Sequence, residues 1–146
     1  MEQLDRQIVR LLTEDGRRSY TDLAKETGLS VSAVHQRVRR LEKRGALRGY
    51  HAAIDADAVG LTLTAFVSLT PIDPAAPDDA PDRLAHLEAI EACHSVAGEE
   101  SYILKVRVAS PAALEVLLQE IRAAANVATR TTVVLSTPYE GRPPAI

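Results

Sequence analysis

The 146-residue sequence predicts an α+β chain built of two dissimilar parts. Two observations carry this: the hydrophobic spacing changes from helical to alternating after about residue 60, and the charge is divided between the same two parts. Residues 1–50 hold eleven Lys and Arg against seven Asp and Glu, a sum of +4, whereas residues 51–146 hold six against thirteen, a sum of −7. The overall −3 therefore conceals a basic part carried on an acidic one, and only the basic part should be drawn to phosphates.

Leu4, Ile8, Leu11 and Leu12 mark a first amphipathic helix that ends near Asp15-Gly16. Tyr20 to Thr27 has the length of a second, with Leu23 and Ala24 inward and Gly28 as terminator. The third spans about Val31 to Arg44: Val31, Val34, Val38 and Leu41 form its apolar stripe, Ser30 is its N-cap, and Gly45 stands where a left-handed residue is wanted. The second and third helices meet across Gly28-Leu29-Ser30. Such a tight corner needs a small residue where the helices approach, here Ala24, and one free to take positive φ, here Gly28, which is the grammar of a helix-turn-helix.

Between positions 37 and 48, Arg37, Arg39, Arg40, Lys43, Arg44 and Arg48 stand against one acid, Glu42, a local sum of +5. A charged helix face is most often only solvated, but this one follows that corner, and the combination points to double-stranded DNA. Ala46 to Ile54 reads as a short extended segment that places Arg48 beside the third helix in the manner of a wing. Asp55 to Gly60 is a connector.

The second part alternates. Leu63 to Thr70 is β-rich and stops at Pro71; Asp73 to Pro81 is an acidic, proline-rich loop; Arg83, Leu84, Leu87 and Ile90 suggest a helix starting near Pro81 or Asp82. Cys93 to Ala97 and Tyr102 to Ala109 read as strands around the turn Gly98-Glu99-Glu100-Ser101. Ser110-Pro111 opens a helix with the stripe Leu114, Leu117, Leu118 and Ile121, and Thr129 to Leu135 is the last strand. The order β-α-β-β-α-β describes a ferredoxin-like unit with two helices on one face of an antiparallel sheet. The expected division is a winged helix-turn-helix domain over residues 1–50, a linker over 51–61, a ferredoxin-like domain over 62–137, and an irregular tail over 138–146.

Composition narrows the classes. At 46% hydrophobic and 25% charged residues, the chain is expected to be a soluble globular protein. The single cysteine, Cys93, excludes an intrachain disulfide framework and a cysteine-rich zinc site, and its place in a strand pattern suggests a small buried residue. The N-terminus lacks the apolar run of a signal peptide and no segment is long enough to span a bilayer, so a cytoplasmic location is expected. No catalytic constellation is present: neither His51 with Asp55 and Asp57 nor His86 with Glu88 has metal-site spacing or a nucleophile, so no metal or cofactor is expected.

Near the start of the third helix, Ser30, Ser32, Ala33 and Gln36 lie where a helix in the major groove meets base edges; Gln36 can pair with adenine and Ala33 can touch a thymine methyl. His35 meets either a phosphate or solvent. Arg37, Arg39, Arg40, Lys43 and Arg48 suit phosphates, which position a protein without reading sequence. Aromatic residues are only 3% of the chain and none lies on this helix, which argues against stacking on single strands. A reading from another class makes the second part an amino-acid-binding enzyme subunit with the first part as a mere tether; it predicts no salt-dependent binding to duplex DNA.

Leu4-Asp5-Arg6, Asp15-Gly16-Arg17, Asp22-Leu23-Ala24, Gly28-Leu29-Ser30, Arg37 to Glu42, Gly45, Gly49-Tyr50 and Gly60, followed by Ser95 to Tyr102, resemble in order and spacing the Lrp/AsnC family of transcription regulators. The resemblance covers nearly the whole chain. It implies that the ferredoxin-like unit binds a small amino acid between neighbouring subunits, and that dimers assemble into an octamer or similar ring. Gly98 would let a ligand approach the backbone, whose N–H groups would receive its carboxylate, with Glu99 or Glu100 near its ammonium group. The resemblance adds His94, Ala97, Val127, Thr129 and Thr131 as neighbours of that site. Ser101 is a departure, since many members carry Asp there, and it leaves the identity of the amino acid open.

Overall fold

The computed structural model describes residues 1–146, which divide into two compact units, residues 1–54 with 139–146 and residues 55–138. The first unit contains α1 (Gln3–Glu14), α2 (Tyr20–Thr27) and α3 (Val31–Lys43). Ile8, Val9 and Leu12 of α1, Leu23 and Ala24 of α2, and Val34, Val38 and Leu41 of α3 form one buried cluster. Burial of this stripe, not intrinsic propensity, holds helices of this length, which are marginal alone in water.

The corners are set by caps. Ser19 Oγ accepts from the Asp22 N–H at 3.1 Å and donates to the Asp22 carboxylate at 2.7 Å, which holds that carboxyl below its ordinary range. Gly28 ends α2 with φ 70°, and Ser30 Oγ then accepts from the Ala33 N–H at 3.2 Å to start α3. Past α3, residues 48–54 have no regular secondary structure. The extended segment expected there forms no ladder, because this unit offers it no second strand. Residues 139–146 are likewise irregular, with Arg10 Nη2 donating to the Ile146 carbonyl at 2.8 Å.

The second unit comprises β1 (Leu63–Pro71), α4 (Ala80–Leu84), β2 (Ile90–Ser95), β3 (Tyr102–Val108), α5 (Pro111–Ala125) and β4 (Val127–Val133). The strands pair antiparallel in the order β2-β3-β1-β4, with Leu63 opposite Val108 and Leu69 opposite both Tyr102 and Thr129. This is the β-α-β-β-α-β arrangement read from the sequence. Alternation sends Ala65, Val67, Leu69, Leu104 and Val106 to one face, where Leu84, Leu114, Leu117 and Ile121 of the helices complete the core. On the other face Phe66 is 41% exposed.

Four expectations are corrected. The helix expected from Pro81 through Ile90 is only α4, Ala80–Leu84, and Ile90 begins β2 opposite Val106. The three-residue spacing of Leu84, Leu87 and Ile90 fits consecutive turns as well as a helix: the Leu87 N–H bonds to the Leu84 carbonyl, and the Ile90 N–H to the Leu87 carbonyl. Strand β2 accordingly starts three residues and ends two residues earlier than expected, and a bulge between Ile90 and Ala92 shifts its register. Cys93 is exposed, not buried. It lies opposite Leu104 and so faces the helix side, but β2 is an edge strand that the two helices leave partly uncovered. Strand β4 starts at Val127, two residues early, because Asn126 with φ 52° ends α5 abruptly and returns the chain to the sheet at once.

Candidate DNA-reading face and effector site

Opposite the buried stripe of α3, Ser32, Gln36, Arg39 and Lys43 recur at four- and three-residue spacing and are all exposed. The side chains of Gln36, Arg39, Lys43 and, beyond the helix, Arg48 make no hydrogen bond or ion pair with the rest of the protein. Their side chains are available to a partner. Ser32 Oγ lies 3.1 Å from Ser30 Oγ, and Ala33 is half-buried. His35 is exposed and meets the Tyr20 ring edge-to-face.

Arg37 behaves differently. It sits beside Gln36 but on the flank that faces α1, where its Nη1 donates to Asp5 Oδ1 at 2.7 Å and to Glu2 Oε2 at 2.8 Å. Those carboxylates raise the guanidinium pKa, Glu2 most strongly. Asp5 is 1% exposed, and Arg40 Nη2 also approaches it at 3.6 Å. A buried carboxylate would be costly unpaired; here it ties α1 to the middle of α3. The Arg37 guanidinium, expected among the phosphate contacts, is thus engaged within the protein, while Arg40 remains half-exposed. The sequence pattern that includes Asp5 gave it no buried role, although a signal existed: it falls in phase with Val9 and Leu12 on the buried side of α1.

In the second unit the structure gathers part of the expected effector set and separates the rest. The Ser101 N–H donates to the Leu69 carbonyl at 2.9 Å, and Leu69 lies opposite Thr129, so Ser101, Thr129 and Val127 meet at one end of β1. Ser101 and Val127 line a cavity of about 90 Å³ together with Asp78, Tyr102 and Asn126. There the Tyr102 hydroxyl donates to Asp78 Oδ1 at 2.7 Å, and this bond, with burial second, pushes the phenol up to about 12. Neither Asp78 nor Tyr102 stands out in the sequence as a pair, since 24 residues separate them.

His94 lies on β2, at the opposite edge of the sheet from β4 with two strands between them, which puts it about 14 Å from Thr131 across the sheet. The two also face opposite sides: His94 pairs with Ile103 on the open face, and Thr131 with the buried Val67. Ala97, Gly98 and Glu99 are exposed in the β2–β3 turn. Gly98 has no positive φ, and an added Cβ there would meet only Glu100 Oε2 at 3.9 Å, so the fold of one chain does not require glycine at this point. No group of three or more His, Cys, Asp or Glu side chains is placed to hold a metal ion, and no helix is long and apolar enough to cross a membrane.

A capped tri-helical unit with a free basic face and a separate α+β unit define a two-part DNA-binding protein. Comparison with known proteins resolves the class further. Residues 1–42 match the AsnC-type helix-turn-helix domain and residues 64–144 the Lrp/AsnC ligand binding domain. The chain is 58% identical over 142 residues to the HTH-type transcriptional regulator LrpA of Mycobacterium tuberculosis, covering 97% of this chain and 95% of that one. It is 37% identical over 140 residues to the leucine-responsive regulatory protein of Escherichia coli, covering 92% and 85%. A solved structure of a feast or famine regulatory protein from M. tuberculosis complexed with L-methionine superposes with a TM-score of 0.95 at 58% identity, covering 97% of each chain. The chain belongs to the Lrp/AsnC family of transcriptional regulators; it is a DNA-binding regulator with a ligand-binding domain, not an enzyme.

Proposed function

We propose that this regulator reads duplex DNA through Ser32, Ala33, His35 and Gln36, at the capped start of α3 that Ser30 provides, and holds phosphates with Arg39, Arg40, Lys43 and Arg48. Arg37 acts indirectly, by fixing the helix through Asp5. The effector is a small amino acid, and the similar regulator solved with L-methionine makes methionine the first one to test. It binds at the β2–β3 turn, Gly98 to Ser101, flanked by His94, Ala97, Val127, Thr129 and Thr131, and the site is completed by a second copy of the chain. A homodimer that assembles into an octamer or similar ring, in the cytoplasm with the DNA, follows from this reading.

One observation supports the shared site: Gly98 is exposed in a turn where an added Cβ would meet only Glu100 Oε2 at 3.9 Å, so a requirement for the missing side chain would lie outside the single chain. A ligand or neighbouring subunit approaching the turn is such a requirement. Bound between subunits, the amino acid changes DNA binding by favouring one assembly over another, a coupling of about 1–3 kcal/mol, or roughly five- to 150-fold in affinity. Operator titrations with and without L-methionine, alongside sedimentation, test this. Gly98→Leu should fold normally and lose the response; an undiminished response in that variant places the effector elsewhere.

A further inference from the structure

Apart from the arginines that reach Asp5, His35 is the outward side chain of α3 that another helix holds. Its imidazole and the Tyr20 ring lie 5.3 Å apart between centroids, with planes 82° apart. Tyr20 opens α2 and is half-buried, packed against the core cluster of its unit. An anchored phenol ring therefore steadies an exposed imidazole. Gln36, Arg39 and Lys43 have no such support and must be ordered when DNA binds, at a cost in side-chain entropy.

Placement adds chemistry to this contact. His35 lies in the first half of α3, the part of a recognition helix that approaches base edges. An imidazole carries at least one ring N–H in either charge state, and both purines present N7 as an acceptor in the major groove. A phosphate contact gains little from a fixed ring, because the basic side chains around it can track the backbone; a single directed donor to one base atom gains a great deal. Resting on the reading of α3 as the DNA-reading helix, we propose that His35 donates to a purine N7 in the major groove and that Tyr20 is the positioning residue that holds it for that contact.

The test uses the full-length protein and the duplexes it selects from a random-sequence pool. Each purine of the tightest-bound duplex is replaced in turn by its 7-deaza analogue, which exchanges N7 for C–H. At one purine position the replacement should weaken wild-type binding about three- to tenfold, the worth of one directed hydrogen bond. His35→Ala should erase that penalty. Tyr20→Phe, which keeps the ring, should retain it; Tyr20→Ala should shrink it without changing the salt dependence of binding. Tyr20→Leu preserves apolar packing without the ring and gives the same answer if the alanine variant fails to fold. Three results would overturn the proposal: a 7-deaza profile in His35→Ala identical to wild type, a full penalty in both ring-less Tyr20 variants, or a loss in His35→Ala spread evenly over all duplexes, which places the imidazole on a phosphate.

Discussion

The two units of this chain treat their charged residues in opposite ways. In the helical unit the outward face of α3 leaves Gln36, Arg39 and Lys43 unengaged, and ion pairs gather at its flank, where Arg37 meets Glu2 and Asp5. In the sheet unit the exposed face is tied together by charge: Glu91 bridges Lys105 and Arg107 across neighbouring strands. One surface leaves cations without an internal counter-ion, and the other neutralises its own. The difference teaches where to look for a partner, because a cation with an internal counter-ion gains less from a phosphate than a free one.

The largest expected effect lies in the core of the sheet unit, where packing and not charge decides stability. Leu104 is fully buried at the centre of β3, and Leu104→Ala should cost about 2–5 kcal/mol in chemical denaturation. A loss below about 1 kcal/mol would mean that the two helices close over the gap and that Leu104 is not at the centre of a tightly packed core.

The ion pair in the helical unit comes next. Asp5→Ala removes the buried partner of Arg37 and should cost about 1.5–3 kcal/mol, less than a wholly buried pair because the guanidinium can reach water and keeps Glu2. Duplex binding should weaken in the same variant, through the loosened helix, and be restored in part by Asp5→Glu. Unaltered melting in Asp5→Ala would remove the contrast between a pinned flank and a free face.

The smallest effect is the pH dependence of the exposed sheet pair. Arg107 first, and Lys105 after it, hold the Glu91 carboxyl below its ordinary value against the opposing effect of burial. A carboxyl depressed on folding adds stability above its unfolded pKa and loses it as pH falls through the lower folded value. Wild type should therefore exceed Glu91→Gln slightly at neutral pH, and the two melting curves should converge below the ordinary range of a glutamate. A difference that grew on acidification would show that the Arg107 contact does not act on this carboxylate.

The helices were legible because each signal is local. Ser19, Ser30 and Ser110 cap within three residues of themselves, Gly28 takes its positive φ in place, and the stripe Val34, Val38 and Leu41 needs only the period of one helix. Such terms are decided by neighbours in sequence, and so the sequence by itself determined α1 to α3, α5, the succession of strands and helices along the chain and the basic face. Tertiary structure decided the rest. Whether Leu84, Leu87 and Ile90 continue a helix or leave it depends on Val106, which Ile90 must pair with. Whether Cys93 is buried depends on which strand occupies the edge of the sheet. Arg37 and Arg39 are indistinguishable by composition, yet one is engaged and the other free, because a carboxylate 32 positions upstream lies against only one flank of α3. Pairing between distant residues is fixed by how the elements pack, and packing is a property of the folded chain that no local window contains.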